Sequence, residues 1–398
     1  MKSIKSIQNL QNKKVLVRVD FNVPIGKDGV VGEEEDWRIK ATLPTIEYLL
    51  KRGAKIILIS HLGRPGQYKA SSTLPTGRQV KYQACSLRPV ANRLGELLNC
   101  KIKFINDCIG DKVKNEIEKM QAGEIILLEN LRFHKEEEEN NEEFAKELAS
   151  LADIYINDGF SVSHRAHASV SNITKFLPSY AGLLLEKELE ILFEAVNNPK
   201  RPATVIIGGA KAETKVPVIE HLMDKFDYIL VGGVVANVIL KAKGIDTGKS
   251  LSGGIDLTEV QKIDLNSKKL YIPVDVVVCN DKKKIISLSA IGKIGDNKIL
   301  DIATETANLY SKIISDSKTI IWNGPVGMFE KESFAFGTKE IARAITESKC
   351  YSIIGGGDTI VAVDKFGYLD KIDYVCTGGG AMLEFLSGNE LPGIKALG

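Results

Sequence analysis

At 398 residues the chain exceeds the length at which one hydrophobic core usually stops growing, so two domains are expected. Its 44% hydrophobic and 26% charged residues are normal for a soluble globular protein. A net charge of +2 argues against nucleic acid or an anionic membrane as partner, and no run of eighteen apolar residues exists to span a bilayer.

Six cysteines (Cys85, Cys100, Cys108, Cys279, Cys350 and Cys376) follow neither a C-x-x-C nor a Cys/His metal spacing. They read as thiols in a reducing compartment. Met1-Lys-Ser-Ile-Lys5 leads toward a strand without an apolar signal core, so a cytoplasmic protein is expected.

In the first half, Val15-Leu-Val-Arg-Val19 is a strand that stops at a turn carrying Asp20 and Asn22. A helix is predicted from Trp37-Arg38 through Leu50. The strand Lys55–Ser60 empties into His61-Leu-Gly-Arg64-Pro65. Glu124–Leu128 reaches Glu129-Asn-Leu-Arg132, and Asp153–Asn157 reaches Asp158-Gly-Phe and then Ser163-His-Arg165-Ala-His167. Apolar strands alternating with helices predict a parallel sheet covered on both faces, with ligands outside the carboxyl ends of its strands. That rim would gather Arg38, His61, Arg64, Arg132 and Arg165. Clustered guanidinium groups repel one another unless an anion holds them, so a small polyanion is the expected guest. The acidic run Lys135–Glu139 reads as a solvated helix start. Ser71–Gln83 has no sustained period and reads as a surface insertion.

The middle stretch Tyr180–Pro199 is predicted as a long helix, with Leu185, Leu189, Leu192, Phe193 and Val196 at helical spacing and Glu186, Glu190 and Glu194 beside them. Strands before it end in Asp, Asn, His and Arg, whereas strands after it end in glycine clusters. Residues 1–179 and 180–386 are therefore expected to form two domains joined by this helix.

In the second half, strand and glycine turn recur at Thr204–Lys211, Tyr228–Gly233, Thr319–Pro325, Tyr351–Thr359 and Asp373–Gly380. Five such turns suggest a rim where backbone N–H groups approach phosphates, helped by helix N-termini. Lys211 and Lys215, four apart, are placed on one face of a following helix, where they could neutralise a phosphate chain. Asp358, after three glycines, is placed to hold Mg²⁺. Gly244–Ser250 resembles a phosphate loop but has too few residues between its glycines, and no dinucleotide fingerprint is present.

These motifs together resemble the phosphoglycerate kinase family over nearly the whole chain. The match includes Arg18-Val-Asp-Phe-Asn-Val-Pro24, Ser60-His-Leu-Gly-Arg-Pro65, Glu129-Asn-Leu-Arg-Phe133, His164-Arg-Ala-His167, Gly208-Gly-Ala-Lys211, Trp322–Glu330, Gly355-Gly-Gly-Asp-Thr359 and Thr377-Gly-Gly-Gly-Ala381. The resemblance implies two α/β, Rossmann-like three-layer domains with parallel sheets and a central interdomain helix acting as a hinge. A tail of about 387–398 is expected to return to the first domain. It implies phosphoryl transfer between ATP and 3-phosphoglycerate on domain closure, without a covalent enzyme intermediate, by a monomer acting on small molecules.

By that analogy Asp20, Asn22, Arg38, His61, Arg64, Arg132 and Arg165 hold the glycerate. Gly209, Ala210, Lys211, Lys215, Asn323, Pro325, Glu330, Gly355, Gly356, Gly357, Asp358 and Thr359 face the nucleotide, with Asp358 toward Mg²⁺. Arg38, Lys211, Lys215 and Gly357 are the expected catalytic set. The chain departs from the family at the Ser71–Gln83 region. It also lacks the usual Gly-Pro after Leu300-Asp-Ile302, and Tyr374 stands where a histidine is common near the hinge.

Overall fold

The computed structural model describes residues 1–65, 85–280 and 285–398, so the Ser71–Gln83 segment lies outside the described residues. The chain divides into two compact units, Met1–Leu189 with Glu390–Gly398, and Glu190–Asn389.

Unit 1 is built on strands β1 (Lys14–Arg18), β2 (Lys55–Ile59), β3 (Ile102–Ile105), β4 (Ile125–Leu128), β5 (Ile154–Asn157) and β6 (Ser179–Ala181). They form one six-stranded sheet in the order β3-β4-β2-β1-β5-β6, with every pairing parallel. Val15 to Val17, Ile56 to Ile59 and Ile125 to Leu128 are all buried, as strands with no polar face must be when both sides of a sheet are covered. Between the strands run α1 (Trp37–Leu50), α2 (Arg88–Leu98), α3 (Asp111–Glu118) and α4 (Glu142–Ala149). Local chemistry sets their ends. Asn141 Oδ1 accepts the Phe144 amide at 3.0 Å to open α4, and Asn99 takes a left-handed conformation to close α2.

The middle helix, α5 (Leu183–Asn197), begins three residues later than its periodicity predicts. Tyr180 and Ala181 belong instead to β6, paired with Ile156 and Asn157 of β5. Asp158 opens the helix, its Oδ1 accepting the amides of Leu184 and Leu185 at 2.9 and 3.2 Å. A Cβ on Gly182 would lie 2.1 Å from that oxygen, so only glycine fits there. Leu185, Leu192 and Val196 are buried as expected, each burial worth about 2 kcal/mol. Phe193 is 54% exposed, so the apolar stripe is narrower than the sequence suggests. The division between units falls inside this helix, between Leu189 and Glu190.

Unit 2 contains β7 (Ala203–Ile207), β8 (Tyr228–Val231), β9 (Leu270–Tyr271), β10 (Asp275–Asn280), β11 (Ile285–Ala290), β12 (Lys298–Ile302), β13 (Thr319–Asn323), β14 (Tyr351–Gly355) and β15 (Tyr374–Cys376). Six of these form a second parallel sheet, β15-β14-β13-β7-β8-β9. The other three make a separate antiparallel sheet, β11-β10-β12, which the sequence reading did not anticipate. The helices are α6 (Val216–Leu222), α7 (Gly233–Ala242), α8 (Leu257–Val260), α9 (Thr304–Asp316), α10 (Phe336–Glu347), α11 (Gly357–Lys365) and α12 (Gly379–Leu386). A last short helix, α13 (Pro392–Lys395), belongs to unit 1. Among the described residues no helix is long and apolar enough to cross a membrane.

Candidate active site

In unit 1 the charged residues gather beyond the carboxyl ends of β1, β2, β4 and β5. Asp20 follows β1 and is 7% exposed. Its Oδ2 accepts hydrogen bonds from Arg38 of α1 and from the Ser161 hydroxyl, and its Oδ1 accepts the Asn22 amide at 3.1 Å. Burial alone would raise its pKa. Arg38 first, then His61, the Ser161 hydroxyl and Arg18, outweigh burial and hold it at about 2. Asp20 is thus a fixed negative charge that orients Arg38.

His61 lies 3.7 Å from Asp20, and its pKa is driven well below the usual value, first by burial and then by Arg18, Arg132 and Arg165, against the pull of Asp20. The ring is therefore neutral at physiological pH. Asn22 Oδ1 accepts the Gly63 amide at 2.8 Å, tying the loop after β1 to the loop after β2. Arg132 donates from Nη1 to the Gly63 carbonyl at 2.8 Å and pairs through Nε with Glu138 at 3.2 Å. Its Nη2 is buried with no hydrogen-bond partner among the described residues. Burial first, then Arg165, Arg18 and Arg64, together lower the Arg132 pKa to about 10 against the pull of Glu138. The Arg165 pKa is also lowered, by burial first and Arg64 next. These cations repel one another in a partly dry rim, which is the electrostatic condition for holding an anion.

Two supporting groups were not picked out from the sequence. Arg18, the last residue of β1, is fully buried; its Nε donates to Ser169 Oγ at 2.9 Å, and its Nη2 lies 3.3 Å from His61 Nδ1. Glu137 accepts from Ser169 Oγ at 2.6 Å and from the Ser169 amide at 2.9 Å. It is fully buried, so the reading of Lys135–Glu139 as a solvated run fails at this residue: Ser169 supplies the donors that make burial tolerable. A strand ending in arginine was the available signal for Arg18. Nothing local marks Glu137.

In unit 2 the glycine turns end β7, β8, β13, β14 and β15 on one sheet, as the repeats predicted. Gly324 has φ +94°, and a Cβ there would sit 2.2 Å from the Gly208 carbonyl oxygen. The Gly209 amide donates to the Pro325 carbonyl at 2.7 Å, so the turns after β7 and β13 lock together. A Cβ at Gly355 would collide with the Met382 sulfur of α12, and Gly356, at φ +93°, precedes α11. Gly357 and Asp358 begin that helix with no side-chain cap, leaving its first amides for an anion. Thr359 is buried and accepts the Gly324 amide at 2.7 Å, while Asn323 is buried beside Met382.

The lysines are not a pair on one helix face. Lys211 is exposed and precedes the short turn Ala212–Thr214, whereas Lys215 is 7% exposed and immediately precedes α6. Pro217 in the first turn of α6 explains this, because proline is tolerated at a helix start and not inside. The Lys215 ammonium donates to the Gly208 carbonyl. Burial lowers its pKa to about 8, against the attraction of Asp358 and with Lys211 adding repulsion.

A pocket of about 380 Å³ opens beside these groups. Gly209, Ala210, Pro325, Glu330 and Asp358 line it together with Val234, Leu240, Leu251, Pro273, Ile299 and Met328. The volume and the largely apolar wall suit a flat heteroaromatic group with a polar tail. Part of the wall comes from β12, within the stretch that departs from the family pattern. Ala303, where the family's glycine would stand, is buried against Val277 and Phe334. Asp301 on the same strand has its pKa raised to about 7 by burial, although the Gly337 and Ile302 amides donate to it. Tyr374 is a nearly buried residue of β15.

The phosphoglycerate kinase family model matches residues 4–389. The chain belongs to the phosphoglycerate kinase family. It is 46% identical to the phosphoglycerate kinase of Dictyoglomus turgidum, over 98% of this chain and 96% of that one. Identity to the enzyme of a Wolbachia from Drosophila simulans is 47%, over 99% and 98%. Among solved structures, phosphoglycerate kinase from Coxiella burnetii superposes with a TM-score of 0.82 at 39% identity, covering 99% of this chain and 98% of that one. The Pyrococcus horikoshii enzyme gives 0.84 at 35% identity, covering 100% and 98%. The fold class, two α/β units with parallel sheets, is that of the family.

Proposed function

We propose that the arginine rim of unit 1 holds 3-phosphoglycerate and that the glycine rim and pocket of unit 2 hold the nucleotide. The activity is that of the family: reversible phosphoryl transfer between ATP and 3-phosphoglycerate, running in glycolysis from 1,3-bisphosphoglycerate and ADP toward ATP. The observation that carries the site assignment is the contrast between the two rims, clustered cations in one and backbone amides with a buried lysine in the other.

An acyl phosphate is already a reactive donor, so no enzyme nucleophile is needed. Catalysis rests on alignment, charge stabilisation and exclusion of water. Arg38, held by Asp20, stabilises charge on the reacting carboxyl and phosphoryl oxygens, with Arg64, Arg132 and Arg165 on the substrate phosphate and His61 a neutral hydrogen-bonding partner. Lys211, Lys215 and the amide of Gly357 meet the nucleotide phosphates, and Glu330 meets the ribose. Asp358, exposed beside the pocket at the start of α11, fits Mg²⁺, which typically takes one or two carboxylates and completes its shell with phosphate oxygens and water. When bound, that ion neutralises phosphate charge. Transfer proceeds when domain closure brings the two ligands together.

We also propose a monomer in the cytoplasm; the compartment is supported by six cysteines that form no disulfide. A coupled assay with 3-phosphoglycerate, ATP and Mg²⁺ tests the assignment. Turnover that needs all three, and an Asp358→Asn variant that needs more Mg²⁺, are expected. An Mg²⁺ dependence unchanged in that variant would remove Asp358 from the metal.

A further inference from the structure

Asp107, Cys108 and His134 present a carboxylate oxygen, a thiol sulfur and an imidazole nitrogen that all lie within 4.8 Å of one another. Two neighbouring strands deliver them. Asp107 and Cys108 follow β3, and His134 follows the short turn Leu131–Phe133 beyond β4. None of the three belongs to either ligand rim described above.

Their positions are fixed by the surrounding chain. Asp107 Oδ1 accepts the Cys108 amide at 2.7 Å and lies 2.8 Å from His134 Nε2. The His134 ring rests on Phe144 with centroids 5.3 Å apart. Cys108 is 1% exposed, while the side chains of Asp107 and His134 remain 50% and 27% exposed, so an ion can reach the cluster from solvent. The field is negative. Glu137 and Glu129 join Asp107 in acting on the thiol, and no lysine or arginine is among the main influences on it.

We infer that Asp107, Cys108 and His134 form a binding site for a thiophilic divalent cation of the Zn²⁺ class, with water completing the coordination. A sulfur, a nitrogen and an oxygen donor suit borderline-soft Zn²⁺, whereas Mg²⁺ prefers oxygen alone. On binding, the Cys108 S–H bond breaks, its proton leaves to solvent and the sulfur lone pair forms the metal bond. The His134–Asp107 hydrogen bond is exchanged for two metal bonds: the Nε2 proton that Asp107 accepted is lost to solvent while Nδ1 takes one up, and the freed Nε2 lone pair and the carboxylate oxygen bind the ion. Burial and the neighbouring carboxylates keep the free thiol protonated, so affinity rises with pH. The site lies two residues beyond Arg132, so an ion there would stiffen the segment that carries an arginine of the anion rim.

The test is titration of the full-length, metal-free protein with Co²⁺, read in the near-ultraviolet where thiolate-to-Co²⁺ charge transfer absorbs. One equivalent should produce the band, and Zn²⁺ should abolish it by displacement. Cys108→Ser should remove the band, His134→Gln should weaken Co²⁺ binding at least about tenfold, and Cys376→Ser should change neither. Asp107→Asn, at a half-exposed position, keeps an oxygen to accept the Cys108 amide and leaves the sulfur in place; it too should lose at least about tenfold in affinity. Absence of the band in the wild-type protein, or unchanged affinity in Asp107→Asn and His134→Gln, overturns the site.

Discussion

Arg38 and Asp20 show how one buried carboxylate can hold in place the cation proposed above for catalysis. Asp20 stays ionised far below physiological pH, so Arg38 is held in place before substrate arrives. Arg38→Ala is therefore expected to lower kcat roughly a hundred- to thousandfold, the usual cost of losing one donor aimed at transition-state charge, with a smaller change in KM. Steady-state kinetics decides this: a raised KM with kcat near wild type would make Arg38 a ground-state binder. Lys215 makes a different prediction. Its folded pKa of about 8 lies below its ordinary 10.5, so the folded chain holds fewer protons than the unfolded one between those values. The Lys215 contribution to stability is thus least favourable below pH 8 and improves as pH rises toward 10.5. A polyphosphate beside it reverses the shift. Nucleotide binding near pH 8.5 should take up protons, seen by calorimetry in buffers of different ionisation enthalpy, and Lys215→Met should abolish the uptake. Equal uptake in both proteins would mean Lys215 does not meet the phosphates.

At the scale of elements, Asp158 couples a side-chain titration to the start of α5. Burial raises its pKa to about 7 despite the donors from Thr45, Leu185 and Leu184. Because the folded pKa lies above the ordinary 3.8, the stability it contributes is complete below about pH 3.8 and is lost as pH rises through 7. Asp158→Asn keeps an oxygen for the helix amides without the charge. Its urea midpoint should gain on wild type as pH rises from about 4 to 8; a constant difference would show that Asp158 does not titrate there. Much of this level was legible from sequence. The parallel strands of both sheets announce themselves as unbroken apolar runs, and five glycine turns mark one rim because loops packed this closely on one another leave no room for side chains. The antiparallel β10–β12 sheet was not legible. Val276, Val277 and Val278 of β10 form another apolar run, and the partly solvated β11, with Ile286 and Leu288 exposed, lacks the apolar-in, polar-out alternation that would announce it. Glu137 was hidden for a related reason: its partner Ser169 is 32 residues away, and an acidic run looks solvated until such a partner is found. The separation of Lys211 from Lys215 escaped because helical spacing was assumed through a segment that Pro217 does not allow.

At the scale of the molecule, unit 2 is one uninterrupted stretch, while unit 1 is made of two pieces far apart in sequence. The second piece is small but specifically seated. The Gly393 amide donates to the Ser163 carbonyl at 2.8 Å, a Cβ at Gly393 would lie 2.6 Å from Val170, and Leu391 and Leu397 are buried. Removing residues 390–398 should lower the thermal midpoint of the chain while leaving the parallel sheet of unit 2 intact by circular dichroism and hydrogen exchange. Equal midpoints would show the contact to be energetically idle. The tail is in effect a ligand carried on its own receptor, and the folded unit 2 is its tether. Tethering replaces bulk concentration by an effective one, on the order of millimolar for short flexible links. Nine residues with so few anchors can therefore stay docked without high intrinsic affinity. The same segment supplied as a free peptide to the truncated chain should restore the lost stability only at concentrations of that order.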